Sequence, residues 1–219
     1  MASWIAHLNV ADKIAEHLKL DLVFFAAGNI APDCGEKVAE RVFVPDTLTT
    51  HFTKTDKDAC DYEAFFEKYI LRETNPERRS FFAGYYTHLY TDVLWTRLIV
   101  KQQKKKYASL LREKGEREFY RKMKGDWYGL DFQFLKEHPD MRMWRSFCSI
   151  NEFPNTFLPF YSEAAFTNKF RQIREFYRAV SETHPRQFRY MQPSEWEDFA
   201  DKAAATTTAE LKNKGFEVL

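Results

Sequence analysis

The stretch that decides the fold is Gly84-Tyr85-Tyr86-Thr87-His88-Leu89-Tyr90-Thr91-Asp92. Apolar and aromatic residues continue on both sides of it, from Phe81 to Trp95 and Ile99, and Asn75-Pro76-Glu77 upstream has the chemistry of a helix start. These residues predict one long, largely buried helix. Residues four apart on a helix lie one above the other, so His88 and Asp92 project from one face. Phe81, Gly84, Tyr85, Trp95 and Ile99 share or flank that face, which turns the pair toward the core. An ionised carboxylate buried without partners is costly, roughly several kcal/mol or more. Either a His-Asp hydrogen bond inside a packed helix or a divalent metal ion satisfies it.

Outward from this helix the pattern stays helical. Residues 4 to 19 read as an amphipathic helix with Trp4, Leu8, Ala11, Ala15 and Leu18 on its apolar stripe. A short apolar piece, 22 to 30, leads into a turn at Ala31-Pro32-Asp33-Cys34-Gly35. Residues 41 to 60 read as irregular and 61 to 72 as a helix. Residues 101 to 124 carry ten Lys or Arg against three Glu, a charge of +7, and read as a solvated helical face rather than a phosphate-binding patch. The segment 125 to 150 is again aromatic and apolar. A loop follows at Asn155 to Pro159. A helix is expected over 161 to 182 with Phe166, Phe170, Ile173, Phe176 and Tyr177 inward, and another near 194 to 213 after Pro185 and Pro193.

With only 7 Gly and 8 Pro in 219 residues against 21 Phe and 11 Tyr, the expectation is an all-α, compact multi-helix single domain. A formal charge of +1 gives no reason to expect nucleic acid, and no apolar run approaches the roughly 18 residues needed to span a bilayer. The N-terminus lacks the pattern of a signal peptide. Three cysteines, Cys34, Cys60 and Cys148, are odd in number and without metal-ligand spacing, as expected for reduced thiols in a cytoplasmic protein.

His7 lies on the stripe Trp4, His7, Ala11, Ile14, Leu18 and points inward, as a hydrogen-bonded core residue or a ligand. Asp33 follows a proline on a turn, where capping or an Asx-turn is the ordinary role. His51 stands in a loop with nothing local to require it. With His88 and Asp92, these residues supply three imidazoles and two carboxylates, a donor mixture suited to Zn²⁺ or a related first-row metal. Paired metals suit phosphoester hydrolysis, because they polarise the phosphoryl oxygen and lower the pKa of a bound water.

Four blocks in order carry a resemblance: Trp4-x-x-His7, Gly28-Asn29-Ile30-Ala31-Pro32-Asp33, Thr50-His51-Phe52, and Phe82-Ala83-Gly84-x-x-x-His88-x-x-x-Asp92. Together they resemble the zinc-dependent phospholipase C family, over about residues 4 to 100. The family is all-helical, with a trinuclear zinc site in a cleft. The resemblance implies that Asp33, His51, His88 and Asp92 hold one zinc, with Asp33 also the candidate general base. It implies that His7 serves a second ion bridged by Asp92. In secreted members the amine and carbonyl of an N-terminal Trp complete that second site, whereas here Met1-Ala2-Ser3 precede Trp4. The family's third zinc needs a His six residues beyond the bridging Asp and then a His-x-x-x-Glu pair. This chain has Leu98 at that place, and His138 and His184 are each followed by proline.

What is expected is therefore a reduced site of one or two ions, a metal half (1–100) and a divergent helical half (101–219). The resemblance implies a hydrolase acting through a metal-activated water on a small-molecule phosphate mono- or diester. Arg72, Arg97 and Lys101 are candidates for phosphate by their nearness in sequence alone. A different class remains open: a degenerate member with a structural metal, acting as a scaffold through Trp127, Tyr128, Phe132, Phe134 and Trp144. A nucleic-acid binder using the basic run with Tyr107, Phe119 and Tyr120 ranks last. The oligomeric state is not legible.

Overall fold

The computed structural model describes residues 1–40, 42–55, 59–179 and 187–219. Those residues form α1 (Trp4–Ile14), α2 (Leu22–Ile30), a 3₁₀ turn (Ala31–Asp33), the strands β1 (Glu36–Ala39) and β2 (Val42–Val44), and the short helices α3 (Thr47–Thr50) and α4 (Tyr62–Phe65). Then come α5 (Pro76–Trp95), α6 (Lys101–Lys106), α7 (Ala108–Glu137), α8 (Arg142–Ser149), α9 (Ala165–Ala179) and α10 (Pro193–Asn213). The expected all-α class holds, with one small antiparallel hairpin, β1 against β2, as its only sheet among the described residues.

At the centre is α5, buried from Ser80 through Leu89 without interruption. It starts as its sequence requires: Pro76 occupies the first turn and the Asn75 side chain accepts the Arg78 N–H at 2.9 Å. Its closest partner is α2, and two glycines make that closeness possible. A Cβ on Gly84 would meet the Phe25 carbonyl and lie 2.7 Å from the Asn29 nitrogen, and one on Gly28 would meet the Phe81 carbonyl. All of these are backbone atoms, which cannot swing aside. The Gly84 of the opening motif is thus a packing residue, and it sets α2 directly against the turn of α5 that carries His88.

The second half clamps this pair. Phe81 of α5 stacks on Phe157 at 4.5 Å between centroids, and Phe166 and Phe170 of α9 extend the aromatic core. Burying each such ring contributes about 2 kcal/mol relative to leaving it in water. The two buried carboxylates of this half are satisfied. Asp131 of α7 accepts from the Ser3 hydroxyl at 2.6 Å and the Tyr177 hydroxyl at 2.5 Å. Asp126 accepts the backbone N–H of Tyr190 at 2.6 Å.

Several local expectations are corrected. The first helix stops at Ile14 instead of running to residue 19, and it is buried on most sides instead of one. Beyond it, Leu18 pairs with Val218, and the Lys19 N–H donates to the Glu217 carbonyl at 2.9 Å, so the chain leaves the helix to meet the C-terminal tail. Part of the stretch expected to be irregular forms β2 and α3, while residues 41 and 56–58 lie outside the described residues. The helix expected over 61–72 begins as α4 and widens into a π-helical turn at Phe66–Ile70. The basic helix is broken at Gly115, whose φ of 76° is left-handed. In α9 four of the five expected residues face inward, but Phe176 is 40% exposed. The expected end of that helix, and His184, fall in residues 180–186, outside those described. No described helix is long and apolar enough to cross a membrane.

Candidate metal centre

Two helices and two loop positions bring the five candidate residues together. His88 and Asp92 sit one turn apart on α5, His7 comes from α1, Asp33 closes the 3₁₀ turn, and His51 follows the last residue of α3. Each loop is anchored. The Tyr161 hydroxyl donates to the Ala31 carbonyl at 2.7 Å beneath the Asp33 turn. The Tyr85 hydroxyl donates to the Thr50 carbonyl at 2.5 Å beside His51. Phe52, next after His51, has a φ of 53°. A bulky residue in that left-handed region is held there at a cost of about 1–3 kcal/mol.

Four separations define the centre. His7 Nε2 lies 3.3 Å from Asp92 Oδ1, and His88 Nε2 lies 3.7 Å from Asp92 Oδ2. His51 Nε2 lies 3.6 Å from Asp33 Oδ1 and 3.7 Å from Asp92 Oδ2. The His7 and His88 rings stack at 3.7 Å with 5° between their planes. Despite this proximity, His7 Nδ1 and Nε2, His51 Nε2, His88 Nε2 and Asp92 Oδ2 make no hydrogen bond. Leaving one buried polar atom unsatisfied costs about 1–3 kcal/mol, so five in one place demand an explanation.

Protonation follows from the neighbours. The Asn29 carbonyl, 2.7 Å from His88 Nδ1, can only accept, so that nitrogen carries the proton and Nε2 presents a lone pair. Burial, and then the adjacent His7 ring, push the His88 pKa down to about 3, which keeps the ring neutral. The Thr50 hydroxyl donates to the Thr47 carbonyl at 3.5 Å and sits 2.9 Å from His51 Nδ1, an arrangement that again leaves Nε2 as the lone pair. Burial alone would raise the pKa of Asp92. The Met1 amino group, then His7, outweigh it and hold the carboxyl well below the usual range. Asp92 is anionic, and its Oδ1 also accepts the Ala2 N–H at 2.9 Å.

Imidazole rings with unpartnered Nε2 atoms around an anionic carboxylate are a donor set for a divalent metal. Ligands at about 2.0–2.2 Å from a tetrahedral zinc lie roughly 3.3–3.6 Å from one another, close to the separations observed here. Two overlapping groups could hold an ion: His7, His88 and Asp92, and Asp33, His51 and His88. His88 belongs to both. The donor set and its unsatisfied buried atoms fit zinc.

Sequence reasoning missed the residues that orient these ligands. Asn29 acts through its carbonyl and Thr50 through its hydroxyl, as groups behind a metal's ligands do. The Trp4 indole donates to Asp33 Oδ2 at 2.8 Å. All three stand inside the four sequence blocks, and Thr50, directly before His51, is the one that adjacency to a ligand candidate could have marked. Of the five, Asp33 is the most open, with 13% of its side chain exposed. It borders a cleft of about 260 Å³ with Trp4, Tyr128, Lys124 and Lys169. Arg72, Arg97 and Lys101 are exposed and do not line this cleft. Leu98 is 37% exposed on a π-helical turn after α5. Trp127 is buried, Phe132, Phe134 and Trp144 are partly buried against the core, and Tyr128 is half-buried against Trp4 and Phe176.

Neither the curated proteins nor the solved structures contain a match to the chain. One family model does match, and the stretch it covers, residues 4–95, contains all five candidate ligands: the chain is similar there to the family described as zinc dependent phospholipase C.

Proposed function

We propose that this protein is a metal-dependent hydrolase of phosphate mono- or diesters, with His7, Asp33, His51, His88 and Asp92 holding one or two zinc ions. The observation that carries the reading is the convergence of three unpartnered imidazole Nε2 atoms and one unpartnered oxygen of an anionic Asp92 in buried space. A divalent ion supplies Lewis acidity to a phosphoryl oxygen and lowers the pKa of water. The chain's own groups supply the rest. His88 and His51 are locked in the required tautomer by Asn29 and Thr50. Asp33, bordering the cleft, takes a proton from the attacking water at Oδ1, while the Trp4 indole fixes its other oxygen. The substrate is a small-molecule phosphoester, and the chain works as one domain in which α7 and α9 wall the cleft of the N-terminal half.

Elemental analysis of protein purified without chelator, together with turnover of bis(p-nitrophenyl) phosphate, tests this. We expect stoichiometric zinc and metal-dependent hydrolysis, both lost in His88→Ala. Protein that carries no metal would sink the proposal. One feature favours a structural metal instead: each carboxylate already has one oxygen bound to a group from residues 2–4. Bound zinc without hydrolysis of any phosphoester would select that reading.

A further inference from the structure

Part of the basic run of α6 and α7 is neutralised by ion pairs and part is not. Lys104 pairs with Glu116 at 2.8 Å, Lys106 with Glu195 at 3.7 Å, and Arg121 and Lys122 with Glu118 at 2.6 and 3.5 Å. These are ordinary surface ion pairs worth little each. Arg117 and Lys124 have no carboxylate partner among the described residues, and both line clefts. Lys124 borders the 260 Å³ cleft that contains Asp33. Lys124 and Arg117 together border an adjoining trough of about 590 Å³, which shares Met1, Lys124 and Trp127 with the first cleft. On the first cleft's rim, Lys169 of α9 holds its ammonium 5.9 Å from the Trp4 ring centroid and 3.2 Å from the Gln172 side-chain oxygen, also without a carboxylate.

The acidic group of the trough does not cancel this charge. Glu116 is taken by Lys104, as Arg121 is by Glu118. The Met1 amino group, which borders both clefts, faces Asp92 at 4.0 Å. Beyond Asp33 itself, three cations from two helices, Lys169, Lys124 and Arg117, therefore have no carboxylate partner along these two adjoining clefts. An excess of one sign of charge along a cleft strengthens the field within it, and ammonium and guanidinium groups are strong donors to phosphate oxygens.

We propose that these adjoining clefts form a second anion-binding subsite, so that the substrates are phosphoesters bearing a further phosphate and not neutral or zwitterionic ones. Lys124 and Lys169 hold the phosphate next to Asp33, and Arg117 holds the second one. Nucleoside polyphosphates and phosphorylated lipid headgroups share this chemistry. The proposal rests on the phosphoesterase reading for the first phosphate, but the subsite is built from residues outside the metal centre.

Calorimetric titration of inorganic pyrophosphate and of orthophosphate into metal-stripped protein tests it without relying on turnover. Pyrophosphate should bind about tenfold or more tightly than orthophosphate. Lys124→Ala and Arg117→Ala should each weaken pyrophosphate about tenfold, while Lys114→Ala, which removes an exposed charge of the same run outside both clefts, should change nothing. Equal affinity for the two anions, or equal effects of all three variants, overturns the proposal. If stripping the metal unfolds the protein, the same titrations are made on zinc-loaded protein, where the variant pattern remains the criterion. Protein without metal that keeps the pyrophosphate pattern would sink the hydrolase and leave the subsite; zinc and turnover without that pattern would do the reverse. Adenosine diphosphate, and vesicles of phosphatidylcholine with or without a phosphatidylinositol phosphate, then separate the two sources: competition by either supports the subsite, and by neither overturns it.

Discussion

Two buried polar clusters lie on either side of residues 1–4, and they are built on opposite principles. Asp131 is enclosed by α7 and α9 with both oxygens hydrogen-bonded to hydroxyls. Asp92, with its three imidazoles, is equally buried and leaves four nitrogens and an oxygen unpaired. Satisfied groups of the first kind specify packing and ask for nothing more. Groups of the second kind are tolerable only if something else completes them. In this molecule the difference between architecture and function is a difference in hydrogen-bond accounting.

The most severe test of that contrast lies beneath the proposed metal centre. Gly84→Val would drive a side chain into the backbone of α2, so we expect a loss of more than about 3 kcal/mol in urea unfolding, together with loss of metal. A variant that remained stable and still held zinc would refute the packing account.

Next in size is the metal itself. Free zinc at a hundredfold excess over its Kd should stabilise the fold by about 2.7 kcal/mol, read as a rise in Tm. The gain should vanish in Asp92→Asn and persist in Asp131→Asn. Equal responses of the two variants would erase the distinction between the two clusters.

The third test is pH. Burial lifts the Asp131 carboxyl to about 7, with the Ser3 and Tyr177 hydroxyls only partly offsetting it. The folded protein therefore holds this proton more tightly than the unfolded chain, whose carboxyl titrates near 4. The resulting stability is fully present below pH 4 and is lost as the pH rises toward and through 7. Between pH 5 and 8, wild-type protein should lose about 2 kcal/mol more than Asp131→Asn, measured in metal-free protein by denaturant titration. The smallest effect belongs to Thr50→Val, which frees the His51 ring without unfolding anything; zinc affinity should fall about tenfold.

How far this was legible in sequence depends on the range of the interaction. The i,i+4 placement of His88 and Asp92 and their inward face follow from helical periodicity alone, and the all-α class follows from few breakers among many aromatics. His7, Asp33 and His51 were reached only through the order of motifs, because residues from three separate segments share no local signal. The hairpin at 36–44 was missed: Val38, Val42 and Val44 are all exposed, so no inward-facing apolar row marks it. Asn29 could not be read as a partner of His88, because the atom that acts is a backbone carbonyl. Lys124 and Lys169 are far apart in sequence, and charge composition alone favoured the solvated face over the cleft.

The two glycines at the crossing of α2 and α5 have one more consequence. Because they fix the helices at backbone contact, the distance between the two axes becomes a gauge for the His88 ring, which hangs from one helix and is tethered to a carbonyl of the other. Under the proposed function, selectivity for ion size would be set by helix spacing as well as by the ligands. In a saturation-mutagenesis screen for metal retention, Gly28 and Gly84 should score with His88 and Asp92, although neither offers an atom to an ion. An engineer wishing to enlarge the site would begin with the gauge.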